Sequence, residues 1–148
     1  MINVTKTYLP DKDKYKRYID QIYENGWVTN NGPMVRLLEK RLADYLGVRN
    51  IVLVSNGTVA LEIAYRIFGI QGDVITTPFS FVATTSSLIT NGLNPIFADI
   101  DPQKLNIDPR NIEEIITKDT SAIVPVHVFG NACDIEEIEA IAKEHNLK

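Results

Sequence analysis

The sequence predicts an α/β fold in which helices form the two outer layers of a three-layer (αβα) structure around a mainly parallel sheet. Short apolar runs of strand length alternate with runs of helical periodicity from residue 50 onward. The strand-like runs lie about 20–25 residues apart, the spacing of strands joined through a helix. Parallel strands need such long connections. The predicted strands are Ile51–Val54, Val74–Thr77, Pro95–Ile100 and Ala122–Val126.

Two helices are predicted ahead of this alternating region. Residues Asp11–Asn25 carry apolar and tyrosine side chains at helical spacing, and Gly26 ends that pattern. A second helix is predicted from Pro33 to Leu46, with proline in its first turn and Gly47 after its last. These helices precede the predicted sheet in the sequence.

Four further helices are predicted between and after the strands. In a parallel sheet the ligand lies outside the carboxyl ends of the strands, in the loops that lead into these helices. Functional residues are therefore expected in those loops. The predicted helices are Val59–Phe68, Val82–Asn91, Asn111–Thr117 and Ile135–His145.

Composition excludes several functional classes. The net charge is −4 and no basic block occurs, so neither a nucleic acid nor an anionic membrane is expected as a partner. No apolar run is long enough to cross a bilayer. The first residues contain no signal-peptide core, which predicts a cytoplasmic protein. The single cysteine, Cys133, excludes an internal disulfide and is interpreted as a buried structural residue, and with two histidines no metal site is expected.

The turn Ser55–Thr58 is a candidate anion site. It is placed between a predicted strand and a predicted helix, so unpaired backbone N–H groups and the positive end of a helix dipole meet there. Phosphate is the usual occupant of such a turn. Many turns of this composition bind nothing, and the turn alone does not decide between the two interpretations.

Two later loops carry further candidates. Phe79 and Phe81 follow the second predicted strand, where an aromatic ring can stack on a planar ligand or fill the core. His127 and Asn131 follow the fourth, and a lone histidine there is more often structural than catalytic. The sequence Asp99-Ile100-Asp101-Pro102 resembles a carboxylate pair, but Asp-Pro is also a common turn and that interpretation is favoured.

The order of these motifs is similar to that of one family. The chain resembles the pyridoxal-phosphate sugar aminotransferases of the DegT/DnrJ/EryC1/StrS group, which have the aspartate-aminotransferase fold (fold type I). The resemblance implies N-terminal helices over about 11–46 and part of the cofactor-binding large domain over about 50–148. The matching motifs are Gly26-Trp27-Val28-Thr29 with Gly32-Pro33, Ser55–Leu61, Thr77–Thr84, Pro95–Asp101 with Asn106–Pro109, and Pro125–Asn131.

This resemblance implies roles for individual residues. Gly57 and Thr58, with the amide of Val59, would hold the phosphate of pyridoxal 5'-phosphate, and Phe81 would stack on its pyridine ring. The loop containing Trp27, Thr29 and Asn31 would lie near the sugar nucleotide, in its own or a partner subunit's site. His127 and Asn131 would line or support the pocket.

The resemblance further implies an amino transfer, from glutamate to a nucleotide-linked keto-sugar, in a homodimer. A dTDP-linked 4-keto-6-deoxyhexose is the expected substrate. The family's Schiff-base lysine has no counterpart among these lysines, so the chain is expected to be an N-terminal portion that is inactive alone. Two alternatives stay open: the family's sugar dehydratases, and a non-catalytic ligand-binding or regulatory module. A dinucleotide-binding Rossmann domain is disfavoured because no Gly-x-Gly-x-x-Gly occurs.

Overall fold

The computed structural model describes residues 5–148, which divide into two compact units. The first unit ends at Leu53, and the second is Val54–Lys148. From residue 5 onward, helices alone form the regular structure of the first unit, and the second unit contains the parallel sheet.

The first unit contains helices α1 (Lys12–Asn25) and α2 (Pro33–Leu46). Asp11 caps α1, because its carboxylate accepts a hydrogen bond from the Lys14 N–H at 2.8 Å. Each helix ends at a glycine with a left-handed backbone, Gly26 (φ 63°) and Gly47 (φ 66°). Both predicted helices are confirmed.

The second unit is a parallel three-stranded sheet with strand order β2-β1-β3. Ile75 in the central strand is in register with Ile96 on one side and Ile123 on the other. A single turn of 3₁₀ helix, Val128–Gly130, follows β3. The elements are α3 (Gly57–Ile67), β1 (Asp73–Thr76), α4 (Ala83–Thr90), β2 (Asn94–Phe97), α5 (Pro109–Glu114), β3 (Thr120–Ile123) and α6 (Ile135–Glu144).

Helices cover both faces of this sheet, as the predicted three-layer arrangement requires. Successive residues of a strand point to opposite faces. Val74 therefore packs with α3 and α4, and its neighbour Ile75 packs with α5 and α6. The first cluster contains Tyr65, Val74, Leu88, Leu93 and Ala122, and the second contains Ile75, Ala98, Ile107, Ile112, Ile123, Cys133 and Ile138.

The predicted strand Ile51–Val54 is wrong, because no strand is present there. A strand needs a neighbour with which its backbone can pair. Within the described residues this run has no such neighbour, and the N–H of Leu53 donates instead to the Glu39 carboxylate at 3.1 Å. Val52 lies exposed. An apolar run predicts a strand only where a partner strand exists.

The other predicted elements are present, with shifted ends. The strand expected over Pro95–Ile100 ends at Phe97, and Ile100 forms an isolated antiparallel bridge with Ile107. The helix expected from Asn111 begins at Pro109, because Asp108 caps it by accepting from the Arg110 N–H at 3.0 Å.

Candidate functional site

The topology creates a crevice between the loops that follow β1 and β3. These strands are neighbours, but β1 leads to α4 on one face of the sheet and β3 leads to α6 on the other. Their loops therefore diverge and leave a gap beyond the carboxyl end of the sheet. Such a gap is the usual ligand site of an open α/β sheet.

A cleft of about 370 Å³ occupies this gap. It is lined by two continuous segments, Pro78–Phe81 after β1 and Val126–Phe129 after β3; we call it the aromatic cleft. The buried Thr76 hydroxyl donates to the Val124 carbonyl at 2.8 Å, which joins the bases of the two segments. The cleft therefore lies directly on the rigid sheet.

Three phenylalanines give the cleft its character. Phe79 and Phe129 meet edge to face, with ring centroids 6.4 Å apart and an interplanar angle of 82°. Phe81 is 79% exposed, so the interpretation of this ring as a core residue is wrong. An exposed aromatic ring at the wall of a cleft can stack on a planar ligand without displacing any core contact.

His127 lines the cleft, and its imidazole stabilises the loop. Its Nδ1 atom accepts a hydrogen bond from the Cys133 N–H at 3.1 Å. The neutral ring therefore carries its proton on Nε2, which leaves that N–H available to a ligand. The Cys133 thiol is buried and donates to the Val126 carbonyl at 3.1 Å. Burial raises the pKa of this thiol, as expected for a structural cysteine.

Asn131 does not line the aromatic cleft. Its amide donates to the Lys104 carbonyl at 3.0 Å, so the side chain connects the loop after β3 to the loop after β2.

Asn106 and Phe129 were not predicted as site residues from the sequence. Asn106 bonds to the backbone of the same loop, and Phe129 adopts a left-handed backbone (φ 54°) at the cleft. For Asn106, the only signal in the sequence was its place in the motif Asn106–Pro109.

The candidate phosphate residues lie at the beginning of α3. The N–H groups of Gly57 and Thr58 make no hydrogen bond within residues 5–148, as expected for the first turn of a helix. A Cβ atom on Gly57 would meet nothing within 4 Å, so space for an anion exists beside it. The Val59 N–H differs, because it donates to the Asn56 side chain at 2.9 Å. An anion could reach that amide only if Asn56 moved.

The candidate substrate loop lies in the first unit. Arg36 lies over the Trp27 indole, 5.8 Å from the ring centroid, and donates from Nε to the Asn31 side chain at 3.2 Å. Gly32 is buried against Trp27 and the Thr29 carbonyl, where a Cβ would approach both to 3.3 Å. The roles of Trp27, Thr29 and Asn31 toward a sugar nucleotide stay predictions.

Asp101 forms a turn, as the favoured interpretation of the Asp-Pro sequence predicted. Its carboxylate accepts from the N–H groups of Lys104 at 2.9 Å and Gln103 at 2.7 Å. These two bonds hold the pKa of Asp101 below its usual value. Asp99 lies beside Thr77 and Pro78 in a separate depression, so Asp99 and Asp101 do not form a carboxylate pair.

Residues 5–148 contain neither a cluster of metal-ligating side chains nor a membrane-spanning helix. No group of three or more His, Cys, Asp or Glu side chains is placed to hold a metal ion in this part of the chain. No helix that the structure describes has the length and apolar composition needed to cross a membrane.

The sequence matches a known protein family. The DegT/DnrJ/EryC1/StrS aminotransferase family matches residues 10–148. The chain belongs to this family. The fold type I α/β architecture expected from the resemblance is confirmed by the family's solved structures, and the family depends on pyridoxal phosphate.

Individual known proteins are similar to nearly the whole chain. A dTDP-4-amino-4,6-dideoxy-D-glucose transaminase from Shigella dysenteriae is 54% identical over 147 residues, which cover 99% of this chain and 40% of that protein. The crystal structure of DesI with its TDP-sugar product has a TM-score of 0.88 at 37% identity, and the match covers 93% of this chain and 35% of DesI.

Another similar structure was solved with a bound cofactor. NtdA from Bacillus subtilis, with PMP, has a TM-score of 0.85 at 36% identity, and the match covers 93% of this chain and 33% of NtdA. The present chain thus spans about 40% of the length of the Shigella relative that it matches. The aromatic cleft and the uncapped N–H groups of α3 suit a flat ring and a phosphate group, the two parts of the family's cofactor.

Proposed function

We propose that this chain supplies the ring-binding cleft and phosphate-binding turn of a sugar aminotransferase. Its substrate would be a dTDP-linked 4-keto-6-deoxyhexose. The observation that carries the proposal is the aromatic cleft, which lies in the crevice between the β1 and β3 loops. The relative from Shigella dysenteriae, named for a dTDP-linked 4-amino-4,6-dideoxy sugar, supports this choice of substrate.

In this proposal the residues of the chain bind and orient the cofactor. The uncapped N–H groups of Gly57 and Thr58, with the Thr58 hydroxyl, would hold the phosphate group at the positive end of α3. Phe81 would stack on the pyridine ring, and the Nε2 proton of His127 would be available to a polar group at the edge of the cleft. When bound, pyridoxal phosphate supplies an electron sink for the carbon next to the transferred amine.

The chain alone is proposed to be inactive. Transamination needs a lysine amine that bonds covalently to the cofactor and moves a proton. No lysine lies among the residues that line the aromatic cleft. Glutamate as the amino donor, a homodimer as the active assembly and a cytoplasmic location stay predictions. A dehydratase of the same family would use the same cleft, whereas a non-catalytic module would not need to bind the cofactor.

The proposal is tested by an absorbance titration of the chain with pyridoxal phosphate, followed by borohydride reduction and intact-mass analysis. We expect weak binding that inorganic phosphate competes away, with no stoichiometric attachment to a single lysine. Stoichiometric trapping of one lysine would show that a catalytic amine is present and that the proposed inactivity is wrong. Complete absence of binding would support the non-catalytic module.

A substitution of Thr58 tests the phosphate turn within the same titration. Thr58→Val keeps the shape of the side chain but removes the hydroxyl, so a bound phosphate loses one hydrogen bond. We expect binding to weaken by roughly 1–3 kcal/mol. Thr85→Val is the matched control, because Thr85 is also half-buried but lies in α4, away from the turn. Equal affinity of the two variants would remove Thr58 from the site.

A further inference from the structure

Asn106 is a fully buried polar residue that the proposed cofactor contacts do not use. Its side chain is 1% exposed. Its Oδ1 atom accepts from the Val128 N–H at 3.0 Å, and its Nδ2 group donates to the carbonyls of Asn131 at 3.1 Å and Ala132 at 2.9 Å. One side chain thus satisfies three backbone groups of the loop that follows β3. A buried amide in this arrangement strongly restricts the loop that it bonds.

The backbone of Asn106 is itself held in place. The Asp101 N–H donates to its carbonyl at 2.9 Å, and the Leu105 N–H donates to the Asp101 carbonyl at 2.8 Å, which closes a tight turn. Ile107, the next residue, is buried in the core under β1. The side chain therefore projects from a rigid base.

The bonded loop forms one wall of the aromatic cleft. Val128 is buried, but its neighbour Phe129 is 89% exposed and has a left-handed backbone. A left-handed backbone is unfavourable for a bulky residue and persists only where surrounding contacts impose it. Asn106 bonds to the loop on both sides of Phe129, at Val128 and at Asn131. These bonds are among the contacts that can hold Phe129 against Phe79.

We propose that Asn106 is a positioning residue that holds the Phe129 wall of the aromatic cleft and thereby sets the affinity of the cleft for a planar ring. The identity of that ring as the pyridine of pyridoxal phosphate rests on the proposed function. The role of Asn106 in holding Phe129 is independent of the proposed function. A second tie supports the same loop, since the Lys104 ammonium pairs with the Asp134 carboxylate at 2.8 Å.

The test compares Asn106→Asp with Ser87→Ala. The aspartate keeps the size of Asn106 and the acceptor for the Val128 N–H, but it faces the Asn131 and Ala132 carbonyls with an oxygen instead of a donor. Ser87 is also fully buried, and its hydroxyl donates to the Thr84 carbonyl at 3.1 Å within α4, away from the cleft. The two readouts are the nuclear Overhauser contact between the Phe79 and Phe129 rings, and the dissociation constant of pyridoxine 5'-phosphate.

We expect Asn106→Asp to lose the ring contact and to bind pyridoxine 5'-phosphate roughly tenfold more weakly, by analogy with the loss that follows removal of a hydrogen bond supporting a metal ligand. Ser87→Ala should keep both properties. An unchanged ring contact and affinity in Asn106→Asp would overturn the inference. If the wild-type chain fails to bind the probe while the ring contact still depends on Asn106, the proposed function fails and the positioning role stands.

Hydrogen exchange of the unaltered chain gives an independent test that needs no variant. The Val128 N–H should exchange about as slowly as the amides of the central strand β1, since its acceptor is a buried side chain. The Gly130 N–H, which donates to the His127 carbonyl at 3.1 Å in the exposed part of the loop, should exchange faster. Equal, fast exchange of both amides would show that Asn106 does not hold the wall.

Discussion

A substitution of Phe81 can change ligand binding without changing the stability of the fold, because its ring is so exposed that it contributes little to the core. We expect Phe81→Leu to leave the free energy of unfolding unchanged and to weaken pyridoxine 5'-phosphate binding by about 0.5–1.5 kcal/mol, the range of an aromatic stacking contact. Phe68→Leu is the control, because Phe68 is an exposed phenylalanine at the end of α3, outside the cleft. Calorimetric titration of both variants measures the difference. A similar loss in both variants would contradict a specific stacking role.

Cys133 is predicted to be unreactive in the folded chain. Burial raises the pKa of its thiol, and the nucleophilic thiolate is therefore scarce at neutral pH. A colorimetric thiol reagent at pH 7.5 should react slowly with the native chain and rapidly and stoichiometrically in denaturant. The same shift implies that the thiol stabilises the fold most below the pKa of the unfolded state, and less as the pH rises through the folded pKa. Fast reaction of the native chain would refute burial of the thiol.

At the scale of elements, the beginning of α3 combines a helix cap with a candidate anion site. Asn56→Ala leaves the Val59 N–H without its partner and should lower the free energy of unfolding by about 0.5–2 kcal/mol. Asn56→Asp should keep the cap, but its negative charge should repel a bound phosphate. Urea denaturation and a phosphate-competed titration of both variants measure the two effects.

The two Asn56 variants therefore distinguish the structural role from the binding role. The alanine variant should be less stable without weaker phosphate binding, and the aspartate variant should show the reverse. Weaker phosphate binding in the alanine variant would mean that the Asn56 amide itself contacts the anion. Improved binding there would support a direct contact from the Val59 N–H.

Local signals in the sequence predicted the helices well, because the signals that begin and end them act over a few residues. Pro33 and Gly47 bound α2 as expected, and Gly26 ends α1. The run Ile51–Val54 was wrong as a strand because pairing depends on residues far away in the sequence. Its composition could not show that the run has no partner within the described part of the chain.

The candidate site was predicted in part for the same reason. The loops that carry Phe81 and His127 follow neighbouring parallel strands, so their meeting in one cleft follows from topology. The role of Asn106 depends on bonds to residues 22 to 26 positions later. The left-handed backbone of Phe129 is imposed by that loop and has no signature in a phenylalanine side chain.

At the scale of the whole molecule, the carboxylates of Asp101 and Asp108 make the free energy of unfolding depend on pH in the acidic range. The Arg110 guanidinium holds the pKa of Asp108 below its usual value of 3.8. Backbone N–H groups from Lys104 and Gln103 lower the pKa of Asp101 in the same way. Because protons bind more tightly to both groups in the unfolded chain, their stabilisation is complete above that value and is lost as the pH falls through the folded pKa values.

A double substitution, Asp101→Asn with Asp108→Asn, isolates this contribution. The variant should be less stable than the wild type at pH 7, and the difference should shrink as the pH falls below 3.8 and through the lowered folded pKa values, because the carboxylates become protonated first in the unfolded and then in the folded state. Glu113→Gln with Glu114→Gln removes the same charge from exposed carboxylates that have no hydrogen-bond partner within residues 5–148. Urea denaturation from pH 7 to 2.5 measures all three chains. A wild-type curve parallel to that of the variant with Asn at 101 and 108 would mean that acid destabilises the fold through its overall charge, and not through these two turns.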